Sequence, residues 1–383
     1  MKKLVIIGAN NFQLPLIKKA GELGMETHVF AWEKGAVGRE CADHYYPISI
    51  IEKELILKEV EKINPDGIIS IGSDLAMATV NYIADGMGLI GNSLACVRVT
   101  TDKFAMRECL SQGGLPCPKY SKSADIQEIL NICGDFPLIV KPTDRSGSRG
   151  VTRVSSKTEL EQAIVRARSV SFSLEHIVEQ FIAGREYSVE MISWKGEHHF
   201  LQITEKETSG EPHYVEKAHH QPAALPAATR DKIITLVDKA LTCLKVEYGA
   251  SHSEILLAAE GDVFIVEIGA RMGGDYIGSH LVELSTGYDY VRGVIEIACG
   301  HFDGVEQSRQ AYAGIYYVFA KPGMVSRITN YAKKFPEILF SEIYFRAGSQ
   351  TREVIESNDR AACFVYRSSL AKFVPSEKII IIE

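Results

Sequence analysis

Several familiar signals are missing from this 383-residue chain. None of its eight cysteines forms a C-x-x-C pair, which excludes a zinc-ribbon or thioredoxin-like signature. Single thiols in a reducing cytoplasm are expected. No apolar run is long enough to cross a bilayer. The run Leu4-Val5-Ile6-Ile7 ends at Gly8, too short for a signal peptide. A basic stripe is absent and the formal net charge is −7, so no nucleic-acid surface is expected, although a local basic pocket remains open. There is no internal repeat and no low-complexity linker. The P-loop pattern G-x-x-x-x-G-K-[ST] is absent as well. Gly8-Ala9-Asn10-Asn11-Phe12-Gln13 carries one glycine where a dinucleotide fingerprint needs three, which speaks against an oxidoreductase.

What is present reads as alternating strand and helix over the first hundred residues. Leu4–Ile7 is a short apolar strand of the buried, parallel kind. Leu14–Leu23 has helical spacing, Thr27–Trp32 and Gly67–Ile71 are strands, Leu75–Ala84 is helical, and Leu89-Ile90 opens a further strand. This pattern predicts a doubly wound parallel α/β domain over 1–100. A helix follows over Thr101–Gln112, then a strand over Pro137–Lys141. Ser156-x-x-Glu159 is a capping box for a helix reaching Arg168. A strand-rich stretch over His176–Glu205 has a hairpin turn at Lys195-Gly196, and Ala228–Leu244 and Tyr288–Ala298 are helices. The expected organisation is a central two-lobed domain over 101–309, with lobes near 115–185 and 186–309. A small C-terminal α+β cap over 310–383 completes it.

One hairpin carries two acids. Apolar runs from Glu254 to Ala259 and from Asp262 to Ile268 flank Glu260-Gly261, a plausible two-residue turn. In that register Ala259 pairs with Asp262 and Glu254 with Glu267. Their Cβ atoms would then lie about 5 Å apart, an arrangement that like charges destabilise. A shared divalent cation reverses that sign, and Mg²⁺ takes one or two carboxylates together with water and phosphate oxygens. Taken alone, the hairpin suits a solvated, metal-free rim equally well. His252 falls on the same strand face as Glu254, as a supporting group or as a structural histidine.

Upstream, Ile139-Val140-Lys141-Pro142 runs into Thr143-Asp144-Arg145-Ser146-Gly147-Ser148-Arg149-Gly150. Small residues let backbone amides turn inward around an anion. Lys141, Arg145 and Arg149 add positive charge. An ordinary flexible hairpin loop is the plainer alternative. Farther on, Val178-Glu179-Gln180-Phe181-Ile182 leads through Gly184 to Glu186, a link that can offer backbone groups to a base and a carboxylate to ribose hydroxyls.

In this order the motifs Thr101-Asp102-Lys103, Val140-Lys141-Pro142, Asp144–Gly150, Glu179-x-x-x-x-Gly184-x-Glu186 and Glu254…Glu267-x-x-x-Arg271 resemble the ATP-grasp superfamily over nearly the full length. The resemblance implies ATP and Mg²⁺, with Mn²⁺ as an acceptable substitute. It places Lys103 and Lys141 on the phosphates and Ser146, Gly147, Ser148 and Gly150 in a closing lid. Glu179, Gln180, Phe181 and Ile182 become the adenine hinge, Glu186 the ribose ligand, and Glu254 and Glu267 the metal ligands. Many relatives have Asn two residues after the second metal acid; Gly269 stands there in this chain. Within the superfamily the chain most resembles the L-amino acid ligases. Pro212-His213-Tyr214-Val215-Glu216-Lys217-Ala218-His219-His220-Gln221-Pro222 and Glu267-Ile268-Gly269-Ala270-Arg271-Met272-Gly273-Gly274-Asp275 carry that likeness. It implies Glu216 and His219 near a substrate amino group, Arg271 on a substrate carboxylate, and Gly273-Gly274 allowing close backbone approach. Without the family, solvated residues and a surface salt bridge explain His219 and Arg271 as well.

The function expected from this resemblance is an ADP-forming ligase that joins a small-molecule carboxylate to an amine through an acyl phosphate, with Arg271 and Lys141 as the catalytic cations. The partners are small molecules, with no nucleic acid and no membrane, and a homodimer is the usual assembly for such a protein. The alternatives are a bicarbonate-phosphorylating carboxylase or carbamoyl-phosphate-type enzyme on the same fold, and a non-catalytic ATP-binding protein.

Overall fold

The structure, a computed structural model, describes residues 1–211 and 213–383. Pro212, the first residue of a stretch assigned to substrate binding, lies outside the described residues. The N-terminal unit is a four-stranded parallel sheet of order β3-β2-β1-β4, built from β1 (Lys3–Ile7), β2 (Glu26–Phe30), β3 (His44–Tyr46) and β4 (Gly67–Ile69). Leu4, Val5, Ile6 and Ile7 are all fully buried because helices cover both faces of this sheet. Each such side chain contributes about 1.5–3 kcal/mol by leaving water. The helices are α1 (Leu14–Glu22), α2 (Lys53–Ile63) and α3 (Asp74–Met87).

The observed elements differ locally from those expected. Strand β3 was not foreseen, because Asp43-His44-Tyr45-Tyr46 lacks an apolar run. Leu89-Ile90 forms no strand. Instead Asn92 ties this segment down by accepting from the backbone amides of Glu247 and Tyr248 and donating to the Tyr248 carbonyl. A separate, unforeseen helix, α4 (Leu94–Thr101), precedes the one expected over Thr101–Gln112, which starts two residues later as α5 (Lys103–Gln112). They break at Asp102, whose side chain accepts from the Ala105 amide and starts α5 afresh.

A second sheet, order β5-β8-β6-β7, contains β5 (Tyr120–Ser121), β6 (Leu138–Pro142), β7 (Thr152–Val154) and β8 (His176–Gln180). It packs against α6 (Ile126–Cys133), which the sequence reading missed, and α7 (Lys157–Val170). Ser156 caps α7 as expected, but Glu159 accepts from the Ser155 amide and not from Ser156, so the reciprocal half of the box is displaced by one residue.

The third sheet has eight antiparallel strands. It runs from β13 (Val263–Gly269) through β12 (Tyr248–Ala258), β9 (Gly184–Trp194), β10 (Glu197–Thr208), β11 (Glu216–Gln221) and β14 (Tyr312–Val318) to Ala362–Ser368 and Ile338–Ile343. The tail expected as an α+β cap therefore continues this sheet, and its helical turns are of the 3-10 type. Helix α8 (Ala227–Cys243) packs on one face. Cys109 and Cys243, expected as isolated thiols, approach to 3.6 Å between α5 and α8. No helix among the described residues is long and apolar enough to cross a membrane.

Candidate active site

The second and third sheets enclose a cleft of about 270 Å³. Lys103, Lys141, Ser146, Gly147, Ser148, Glu179, Gln180, Phe181, Ile182 and Glu186 all line it, as do Glu216, Glu254, Glu267 and Arg271. Ile139, Phe181, Ile182, Leu256 and Val266 make an apolar slot on one side, and the Arg153 guanidinium lies 4.8 Å from the Phe181 ring centre.

Glu254 and Glu267 are directly opposed, as expected, but the route to that register differs. The Ala258 amide donates to the Asp262 carbonyl at 2.8 Å, so the turn holds Ala259, Glu260 and Gly261, three residues and not two. Gly261 supplies the positive φ of +86° that such a turn needs. Pairing near the turn is thus displaced by one: Leu257 faces Val263 and Ile255 faces Ile265. A bulge at Val266 then restores the alignment of Glu254 with Glu267.

Each acid holds a lysine. Lys206 donates to Glu254 Oε1 at 2.9 Å, and Lys103 donates to Glu267 Oε1 at 2.9 Å and to the Arg145 carbonyl at 2.7 Å. Burial alone would raise the Glu254 carboxyl, yet Lys206 and His252 hold it well below the ordinary carboxylate range. Burial works against the Lys206 ammonium too, and Glu254, Glu186 and Glu216 overcome it and raise its pKa. Lys206 was missed in the sequence because lysine is ordinarily solvated. Its burial depends on acids from other strands. The pair of carboxylates suits Mg²⁺, which accepts one or two such ligands and fills the rest of its shell with water and phosphate oxygen.

His252 lies beside Glu254 as its strand position predicts. Its Nδ1 meets Glu190 and its Nε2 lies 3.5 Å from Glu254 Oε1. Burial lowers the imidazole, but Glu190 outweighs it and raises the pKa to about 9. Glu190 also accepts from the Gly273 amide at 3.1 Å. A Cβ at Gly273 would lie 2.8 Å from His252 Nδ1, so the close approach expected of Gly273 is present. At Gly274 nothing among the described residues lies within 4 Å of a Cβ, and this residue is not among those lining the cleft.

The Glu179 side chain is taken up by two cations. It lies between Lys141 Nζ at 2.7 Å and Arg107 Nε at 2.9 Å, all three side chains being 6% exposed or less. The Arg107 contact lacks hydrogen-bond alignment and is an ion pair. Burial would raise Glu179, but Arg107 and Lys141 keep it low. Burial lowers the Lys141 ammonium, and Glu179 restores only part of the shift. Two cations share one anion, which leaves a net positive charge in the cleft wall for a phosphate to meet.

Arg271 lines the cleft, and its Nε and Nη2 donate to Asp74 Oδ1 and Oδ2 at 2.7 and 2.9 Å. Its side edge is thus held by the first residue of α3, and its remaining Nη1 lies 3.3 Å from the Met272 carbonyl. Asp74 was not foreseen: it lies nearly 200 positions away in sequence. Its carboxyl would be raised by burial, but Arg271 lowers it. The same pair accounts for Gly269, where a Cβ would meet Asp74 Oδ1 at 2.9 Å and Arg271 Nε at 3.1 Å.

Besides Gly274, two assigned residues lie outside the cleft lining. Gly150 packs under the loop, where a Cβ would meet Val170 at 2.6 Å, and does not line the cleft. His219 is buried beneath the wall, 3.5 Å from Asp275, which Arg360 holds bidentately at 2.7 and 2.8 Å. His219 pairs with Lys206 and Glu216 with Thr208, and a one-residue register shift at Lys217 separates the two pairs, so regular alternation does not run from one to the other. Glu216 keeps its place in the cleft and accepts from Ser357 at 3.0 Å.

Comparison with known proteins bears on this arrangement. Residues 134–279 match the family model described as the ATP-grasp domain. The alanine–anticapsin ligase of Bacillus subtilis strain 168 is 24% identical over 257 residues, covering 61% of this chain and 53% of that protein. A formate-dependent phosphoribosylglycinamide formyltransferase of Prochlorococcus marinus is 23% identical, covering 57% of this chain and 55% of that protein. The chain spans about half the length of these curated relatives. The crystal structure of an L-amino acid ligase from Bacillus licheniformis superposes with a TM-score of 0.84 at 25% identity, covering 96% of this chain and 94% of that one.

Proposed function

We propose that this chain, whose residues 134–279 match the ATP-grasp domain, is a member of that superfamily and an ADP-forming ligase that joins the carboxylate of an amino acid or similar small acid to an amine. The observation that carries the reading is the Glu254–Glu267 pair facing one another in a cleft that also holds Lys103, Lys141 and Arg271. Glu254 and Glu267 would hold Mg²⁺. The bound ion would neutralise phosphate charge and polarise a phosphoryl oxygen. Mn²⁺ is the substitute expected to support turnover.

In this reading the apolar slot takes adenine against Phe181, Ile182 and Leu256, and Glu186 takes the ribose. Lys103 and Lys141 meet the phosphates. Lys103 also straps the start of the 144–150 loop to Glu267, so loop position and phosphate position are coupled. The substrate carboxylate attacks the terminal phosphorus, ADP departs, and the amine displaces phosphate from the acyl phosphate. Positioning and charge neutralisation supply most of the rate in such a transfer. Asp74 fixes the plane of Arg271 from the side, which leaves its terminal edge for the carboxylate and for the oxyanion formed on amine attack. The loop at Ser146–Ser148 excludes water from an intermediate that would otherwise hydrolyse.

The test is a phosphate-release screen over paired amino acids and amines with Mg-ATP, read alongside mass detection of the amide and hydroxylamine trapping. ADP and a hydroxamate are expected. AMP and pyrophosphate would refute the acyl-phosphate route. ADP release that needs only bicarbonate would move the chain to a carboxylase-type reaction.

A further inference from the structure

Outside the cleft lining, β2 and β3 carry a second group of ligating side chains. Among the described residues, Glu26, His28 and His44 are the one set of three or more such groups whose donor atoms all lie within 4.8 Å of one another. The register explains the cluster. His28 and His44 are cross-strand partners in the parallel pair, and Glu26 precedes His28 by two, so all three share a sheet face. Glu26 Oε1 lies 3.2 Å from His28 Nε2 and 3.1 Å from His44 Nε2. The two rings stack with centroids 4.5 Å apart. None of the three residues lines the cleft.

We propose that Glu26, His28 and His44 form a three-ligand site for a divalent transition-metal ion, zinc first, with a further position open to water. With metal–donor bonds of about 2.1 Å, donors stand about 3.4 Å apart at a tetrahedral angle and about 3.0 Å apart at a right angle. The measured 3.1 and 3.2 Å fall inside that interval. Two imidazoles and one carboxylate suit zinc, cobalt or nickel, whereas magnesium and calcium prefer all-oxygen shells. Tyr46 Oη lies 3.0 Å from His28 Nδ1 and supplies the outer contact that orients a ligating imidazole. His44, with half of its side chain exposed, gives the ion a way in.

The experiment is Zn²⁺ and Co²⁺ binding to the full chain by equilibrium dialysis with elemental analysis. It is done in a Glu254→Gln/Glu267→Gln background, so that ions in the cleft do not contribute, and with the thiols alkylated. One ion per chain is expected, with a Co²⁺ visible spectrum showing nitrogen ligation. His44→Ala, at a half-exposed position where the fold tolerates change, should abolish binding. Tyr46→Phe should weaken it about 10- to 100-fold. Failure of the background chain to bind zinc would overturn the proposal, as would stoichiometric binding that survives His44→Ala. His44→Ala in the otherwise unaltered chain should leave ATP turnover unchanged, so this test stands apart from the one for the ligase reaction.

Discussion

Replacing Glu179 by Gln should be among the most damaging single changes to the fold that leaves side-chain volume nearly unaltered. Glu179 is the one anion between Arg107 and Lys141, at 2.9 and 2.7 Å. Each contact is worth about 6 kcal/mol in gross Coulomb energy at an effective dielectric near 20. Desolvation offsets much of that, and losing one partner of a buried pair costs about 3–5 kcal/mol because the other charge is stranded. Here two cations are stranded together. Urea unfolding at neutral pH should show this loss as a lower midpoint with an unchanged slope. A second variant separates charge from packing. Lys141→Met alone leaves Glu179 paired with Arg107 and should cost less than Glu179→Gln. Added to Glu179→Gln, it removes one stranded cation and should recover about 1–3 kcal/mol, a coupling typical of contacting charges. An unchanged midpoint for Glu179→Gln would refute the reasoning. So would a double variant that falls by the sum of the two single losses.

Glu267→Gln should cut ADP formation at least about 100-fold, since charge stabilisation near 3 kcal/mol is removed; turnover within tenfold of the parent would remove Glu267 from the metal site. Gly269→Asn should destabilise the chain, because a Cβ there meets Asp74 Oδ1 at 2.9 Å, and the cost should shrink in an Asp74→Ala background. Thermal melts of the four chains decide this, and equal costs in both backgrounds would show that the clash lies elsewhere. Acid sensitivity should begin well above the carboxylate range. Burial above all, with Lys372, lowers the His220 imidazole to about 3, so the folded chain keeps it neutral while the unfolded chain takes up a proton near pH 6.5. The His220 contribution to stability is therefore level above about pH 6.5 and is lost as pH drops from about 6.5 toward about 3. His220→Gln should flatten urea midpoints measured between pH 7.5 and 5, and an unchanged slope with pH would contradict the assignment.

The parts of the fold legible in the sequence are those with a local period. Leu4–Ile7, the Lys195-Gly196 hairpin and the α7 and α8 helices announce themselves through apolar spacing and turn residues. The cleft was legible because its residues fall in an ordered set of motifs. What could not be read depends on partners distant in the chain. His44–Tyr46 becomes a strand only by pairing with β2, and Leu89-Ile90 fails to become one because Asn92 binds the backbone at Glu247 and Tyr248. Asp74 is invisible as a site residue until α3 is placed against Arg271. Lys206 reads as solvent-exposed until Glu254 and Glu186 surround it.

The opposed acids show how a correct pairing can rest on a wrong path. A regular two-residue turn at Glu260-Gly261 yields Glu254 opposite Glu267, and so does the observed combination of a three-residue turn and a bulge. The three-residue turn displaces the register by one, and Val266 is the extra residue that takes it back. A bulge leaves backbone groups without their ladder partners, and a buried orphan carbonyl is costly. The Val266 carbonyl accepts from Arg107 Nη2, and Arg107 is the same side chain that pairs with Glu179. The bulge that aligns Glu254 with Glu267 is therefore stabilised by a cation that also anchors Glu179, which in turn holds Lys141. Glu254 and Glu267, proposed to meet metal, and Lys141, proposed to meet phosphate and more than a hundred positions away in sequence, are set by one buried guanidinium. That shared dependence explains why Arg107, with no surface in the cleft, is among the largest fully buried side chains of the protein.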